Sequence, residues 1–95
     1  AENAERLGKI FRDEMKDIKS DMIEIIRGKG LLNATAIKPK GGKTAWDVCL
    51  AMKENGVIAK PTHEHIIRFA PPLVITEEEL REALSLIRKS FKQFE

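Results

Sequence analysis

The sequence predicts an α+β fold: a small, mainly antiparallel sheet of three to four strands with helices covering one face. Three observations predict it. Apolar side chains recur at helical spacing near both ends, at Ala4, Leu7, Ile10, Phe11, Met15 and Ile18 and again at Leu80, Ala83, Leu84, Ile87, Phe91 and Phe94. Between these stripes lie short strand-like runs, punctuated by Gly28-Lys29-Gly30, Pro39-Lys40-Gly41-Gly42 and Asn55-Gly56. Finally, 95 residues, 42% hydrophobic and 34% charged, suffice for one modest core and no more.

The elements follow in order. Residues 2–18 form an amphipathic helix with charges on the face opposite the stripe, and Ser20-Asp21 ends it. Residues 22–27 read as a strand that sets Ile23 and Ile25 against Glu24 and Ile26. Gly28-Lys29-Gly30 supplies a tight turn or bulge, and residues 31–38 continue as a second strand. Pro39 to Gly42 is a surface loop. Thr44 caps the next helix with Asp47 in its first turn, and Trp46, Cys49, Leu50 and Met52 form the expected buried side. Gly56 suits the left-handed position after that helix. Val57-Ile58-Ala59 is an expected short strand, which Pro61 keeps short or at an edge. Residues 65–70 are the strand carrying Arg68, and Pro71-Pro72 ends it. Thr76 with Glu79 makes a capping box for the last helix.

Composition excludes several function classes. A net charge of +2 with both signs interspersed makes no electrostatic case for nucleic acid or a membrane surface. No apolar stretch approaches the ~18 residues needed to cross a bilayer. One cysteine, Cys49, allows no internal disulfide and points to a reducing compartment. On the apolar side of a helix, with no histidine near it in sequence, Cys49 reads as a packing thiol rather than a nucleophile.

Two motifs fail their own tests. Gly41-Gly42-Lys43-Thr44 before a helix suggests a phosphate loop, but Ile37 stands where that pattern requires a glycine. His63-Glu64-His65 could place two imidazoles on one side of a strand. Zinc needs about three or four ligands, and no second Cys/His cluster exists, so no metal site is expected. Arg27, beside Gly28, reads as a structural strand-end residue.

Arg68 carries the chemical signal. It sits in His65-Ile66-Ile67-Arg68-Phe69-Ala70-Pro71-Pro72-Leu73-Val74-Ile75, an otherwise apolar run. Its guanidinium stays charged at any working pH and fits a carboxylate with two parallel hydrogen bonds. From residue chemistry alone, three uses stay open: a structural ion pair, an edge-strand charge lying in water, or a ligand for an incoming acid group. Function likewise divides between part of an enzyme, a small-molecule sensor that holds an acidic ligand, and an assembly module whose helices form an interface.

The words around Arg68 narrow the choice. Ile67-Arg68-Phe69-Ala70-Pro71-Pro72-Leu73-Val74-Ile75-Thr76-Glu77-Glu78-Glu79-Leu80 closely resembles the C-terminal signature of the class III pyridoxal-phosphate aminotransferases. Arg27-Gly28-Lys29-Gly30-Leu31-Leu32-Asn33-Ala34, then Asn55-Gly56, then Ala59-Lys60-Pro61-Thr62-His63, resemble the branch of that class that uses ornithine, and the match runs over essentially the whole chain. The resemblance implies residues 1–95 are a single C-terminal small domain of a fold-type-I transferase, with the large cofactor-binding domain absent. It implies pyridoxal 5′-phosphate as the cofactor of the full-length enzyme. None of the present lysines lies in a segment like the family's cofactor lysine, so no catalytic or cofactor-binding residue and no activity are expected of these residues alone.

The resemblance assigns Arg68 to the substrate carboxylate, with His63 and Thr62 supporting the site from behind. It implies amino-acid and oxo-acid substrates, the large domain of the same enzyme as partner, and a homodimer or higher homo-oligomer. It implies a mitochondrial-matrix or cytoplasmic address, not a secreted one. Phe69-Ala70, Lys60-Pro61-Thr62-His63 and Leu31-Leu32-Asn33-Ala34 favour ornithine over acetylornithine or 4-aminobutyrate as donor.

Overall fold

Both end helices form where the apolar stripes lie. In the computed structural model, which describes residues 2–62, 65–71 and 75–95, α1 spans Glu2–Lys16 and buries Leu7, Phe11 and Met15. Helix α3 spans Glu77–Lys92 and buries Leu80, Leu84, Ile87 and Phe91. Its start is the expected capping box: the Glu79 backbone N–H donates to Thr76 Oγ1 at 3.1 Å, and the Thr76 N–H donates to Glu79 Oε1 at 2.9 Å. Those bonds hold the Glu79 carboxyl below its usual value. Between these helices come β1 (Ile23–Lys29), β2 (Leu32–Ile37), α2 (Ala45–Glu54), β3 (Lys60–Thr62) and β4 (Ile66–Phe69).

The strands form one sheet in the order β1-β2-β4-β3, with every neighbouring pair antiparallel. Alternation decides its two faces. Asn33, Thr35 and Ile37 of β2 and Ile67 and Phe69 of β4 are buried under the helices, while Leu32, Ile66 and Arg68 are exposed. Helices α1 and α2 pack on the sheet, and α3 packs on both of them. The α+β expectation therefore holds, with four strands and a helical layer on one side.

Close backbone approach fixes how α1 meets the sheet. A Cβ on Gly8 would stand 1.8 Å from the Gly30 carbonyl oxygen, so only glycine fits there. Arg12 closes the same contact, donating from Nη1 to Gly30 O at 3.2 Å and to Asn33 Oδ1 at 2.9 Å. Farther along, Arg6, Glu77, Arg81, Glu14 and Arg88 form a continuous chain of ion pairs between α1 and α3. Arg6 and Arg81 hold the Glu77 carboxyl below its usual value.

Four expectations need correction. Val57-Ile58-Ala59 is not a strand. Gly56, at φ +92°, ends α2, and the Val57 N–H still donates to Met52 O at 2.8 Å. The chain is free to pair only from Lys60, and β3 occupies the sheet edge, where Pro61 needs no outward donor. Trp46 and Leu50 are not on the buried side of α2: they are 59% and 43% exposed. The buried residues are Ala45, Val48, Cys49, Ala51 and Met52, mostly small, and the two larger side chains lie outside that face. The first strand runs on through Gly28 and Lys29, and the turn falls at Gly30, φ +58°. Within it, a register irregularity between Ile23 and Ile25 breaks the simple alternation. Ile23 and Ile26 pack against the core instead, and Ile25 is 43% exposed.

Candidate functional site on the open face of the sheet

Arg68 sits in the middle of the sheet rather than at its rim. Strand β4 lies between β2 and β3, so both its edges are paired. Ile67 and Phe69, its neighbours in sequence, point into the core, and alternation turns Arg68 to the opposite, uncovered face. The edge-strand reading of this residue is thus excluded. Among the described residues no hydrogen bond or ion pair holds its guanidinium.

Cross-strand register identifies what surrounds it. Ala34 of β2 and Lys60 of β3 are the direct partners of Arg68, and Arg27 of β1 is the partner of Ala34. One rung of the open face therefore reads Arg27, Ala34, Arg68, Lys60. The next reads Ile25, Ala36, Ile66, Thr62. A shallow depression of about 230 Å³ is lined by Arg27, Gly28, Leu32, Ala34, Arg68 and Ala70 among others. Small side chains at Ala34, Ala36 and Ala70 keep the ground between the cations low.

Thr62 is brought to the same face as Arg68, one rung away. It is half-buried, and its hydroxyl donates to Ile66 O at 3.5 Å, a long contact tying the edge strand to β4. His63 lies outside the described residues. Register reasoning could have found Lys60 and Arg27, but sequence reading missed Lys60 and took Arg27 for a strand end. Their proximity to Arg68 depends on pairing between segments far apart in the chain.

Other candidate chemistry is spent on structure. The Gly41-Gly42 segment is a tight reversal with both glycines at positive φ, closed by reciprocal backbone bonds between Lys40 and Lys43 at 3.0 and 2.9 Å. At the start of α2, the Thr44 N–H donates to Asp47 Oδ2 at 2.9 Å. That end is occupied by a carboxylate, so these residues make no phosphate cradle. Cys49 is 7% exposed, and burial pushes its thiol up to about 11. Among the described residues no group of three His, Cys, Asp or Glu gathers as metal ligands would. A larger hollow of about 580 Å³ between α3 and residues 56–58 is lined mainly by apolar side chains, with Glu79 and Glu82 its charged members. It offers no cation to an acidic substrate, so the open sheet face is the stronger candidate. No helix among the described residues is long and apolar enough to cross a membrane.

Comparison with known proteins agrees over nearly the full chain. Residues 1–91 match the family described as Aminotransferase class-III. The chain is 53% identical over 90 residues to the mitochondrial ornithine aminotransferase of Drosophila melanogaster, covering 95% of this chain and 20% of that protein. It is 50% identical over 94 residues to the mitochondrial ornithine aminotransferase of Rattus norvegicus, covering 99% of this chain and 21% of that protein. Among solved structures, an acetylornithine aminotransferase from Elizabethkingia anophelis superposes with a TM-score of 0.91 at 52% identity, over 98% of this chain and 24% of that one. Ornithine aminotransferase from Plasmodium yoelii gives 0.90 at 42% identity, over 99% of this chain and 25% of that one. The chain thus spans about a fifth of the length of the curated relatives it matches.

Proposed function

Because this chain belongs to the class III aminotransferases, we propose that it serves as the C-terminal small domain of a pyridoxal-phosphate-dependent ornithine aminotransferase, contributing the arginine that binds a substrate carboxylate. The full-length protein moves the δ-amino group of ornithine to a 2-oxo acid, giving glutamate-5-semialdehyde and an amino acid. The observation that carries Arg68's part is its setting: a guanidinium on a central strand, on an uncovered sheet face, with no acid partner among the described residues. The names of the fly and rat relatives support ornithine as donor.

What Arg68 does follows from its fork. Two parallel charge-assisted hydrogen bonds fix both the position and the rotation of a carboxylate. Holding one end of an acid in this way orients the rest of the molecule toward the reacting centre, and orientation is itself a large part of catalysis. Covering the face during the reaction excludes water, which strengthens the pair.

The cofactor supplies the electron sink for amino transfer when bound. The residues described here do not make a site for it, since the glycine turn is closed on itself and the adjacent helix start already holds Asp47. The remaining four fifths of the polypeptide holds it in this reading, and the 95 residues alone are inactive. The open face also exposes Ile25, Leu32 and Ile66 beside the cations, which suits docking against a large domain of the same enzyme. The working protein is a homodimer or higher homo-oligomer, located in the mitochondrial matrix or the cytoplasm.

A second reading, acetylornithine as donor, is favoured by the likeness to the Elizabethkingia anophelis enzyme. Assay of the full-length protein with ornithine, acetylornithine and 4-aminobutyrate separates them. The highest kcat/KM is expected with ornithine. A clear preference for either other donor overturns the assignment.

A further inference from the structure

Asn55-Gly56 closes α2, and its chemistry goes beyond stopping a helix. In this dipeptide the side-chain amide carbon and the next backbone nitrogen can join into a five-membered ring. Glycine eases the step, because without a Cβ nothing hinders the approach of its nitrogen. The Gly56 nitrogen attacks Asn55 Cγ, and a new C–N bond forms as the bond to Nδ2 breaks. Ammonia leaves, carrying the proton of the Gly56 N–H. Water then opens the ring at either carbonyl and gives aspartate or its β-linked isomer.

The fold opposes each part of that step. Asn55 is half-buried, and its Nδ2 donates to Ser90 Oγ at 3.0 Å. Ser90 is fully buried in α3 and gives its own hydroxyl proton to Leu86 O at 2.8 Å, which leaves its oxygen to accept. The Gly56 N–H donates to Lys53 O at 3.0 Å. Asn55 stands at ψ 5°, where the Gly56 nitrogen nearly eclipses the nitrogen of Asn55 itself. Ring closure requires it to eclipse Cβ instead, a turn of about 120° around the Cα–C bond set by tetrahedral geometry. The leaving nitrogen, the attacking nitrogen and the torsion between them are each held away from reaction.

We propose that Asn55-Gly56 is a modification site gated by the contact between α2 and α3: spontaneous deamidation is held off while Ser90 grips the Asn55 amide, and it proceeds when that contact opens. The product cannot restore the closed state. A carboxylate has no hydrogen to give Ser90 Oγ, whose own proton already goes to Leu86 O. The β-linked isomer also adds a main-chain carbon where Gly56, at φ +92°, turns the chain toward β3. Each opening that ends in deamidation therefore leaves a permanent mark on the join between the two helices.

The test follows conversion of Asn55 in the purified full-length protein, kept in warm, mildly alkaline buffer and sampled by peptide-mapping mass spectrometry. Wild type is compared native and in denaturant, alongside native Ser90→Ala and Leu7→Ala. Leu7 is buried on α1 near the start of α3, where Arg6 meets Glu77, so its truncation weakens the core without touching Ser90. Native wild type converts about tenfold or more slowly than the denatured chain, because two hydrogen bonds must open before the ring can close. Conversion in Leu7→Ala rises only as far as its loss of stability, read from denaturant unfolding, accounts for. Conversion in Ser90→Ala rises severalfold beyond that allowance, because its amide is released without unfolding. Equal rates in native and denatured wild type overturn the proposal, and that comparison requires no variant to fold. A rate in Ser90→Ala explained by lost stability alone overturns the gate.

Discussion

Cys49 lies on the buried side of α2 with 7% of its surface exposed, and removal from water raises its thiol to about 11. The reactive form is the thiolate, so at neutral pH this sulfur is nearly inert. Alkylation of the native full-length protein, read by mass spectrometry, should leave Cys49 unmodified at pH 7.5 and label it only after denaturant is added. Rapid labelling of the native protein would contradict its burial. Arg68 is the opposite case. Its neighbours in sequence point into the core, and alternation turns its fork to the exposed outer face. A lysine there would keep the charge but lose the two-point grip on a carboxylate.

At the scale of elements, the contact between α1 and the first hairpin is set by the absence of a side chain. Gly8 faces the Gly30 carbonyl so closely that a methyl group would stand 1.8 Å from the oxygen. Gly8→Ala must push helix and hairpin apart, loosening the Arg12 bonds to Gly30 and Asn33. An overpacking cost of about 1–3 kcal/mol is expected, visible as a lower Tm of the full-length protein. An unchanged Tm would show that the helix can tilt away freely. Much of this layer was legible in the sequence, because its signals are local. The stripes of α1 and α3 repeat at 3.6 residues, and Thr76 and Glu79 spell out a cap. What escaped was decided elsewhere. The irregularity in β1 moved Ile25 outward, α2 buries its smaller side chains and leaves Trp46 and Leu50 exposed, and β3 began only where the chain had left the end of α2.

The site was half legible for the same reason. Arg68 stood out as a lone charge in an apolar run, and the orientation of its strand follows from alternation. Its company did not stand out, because Arg27 and Lys60 meet it only through the pairing order of the whole sheet. For the molecule as a whole, one face of the sheet is covered by α1 and α2 with α3 packed on both, and the other carries Ile25, Leu32 and Ile66 beside a row of cations. The chain spans about a fifth of the curated relatives it matches. A face both apolar and cationic suits burial against further polypeptide with an acid group trapped between. The most direct test compares the two half-reactions of the full-length enzyme, with glutamate and with ornithine, in wild type and Arg68→Ala. The account predicts that the glutamate half-reaction loses roughly 3–5 kcal/mol of transition-state binding, a drop in kcat/KM on the order of 10²–10⁴-fold, with a smaller change for ornithine. Wild-type rates in both half-reactions would contradict it.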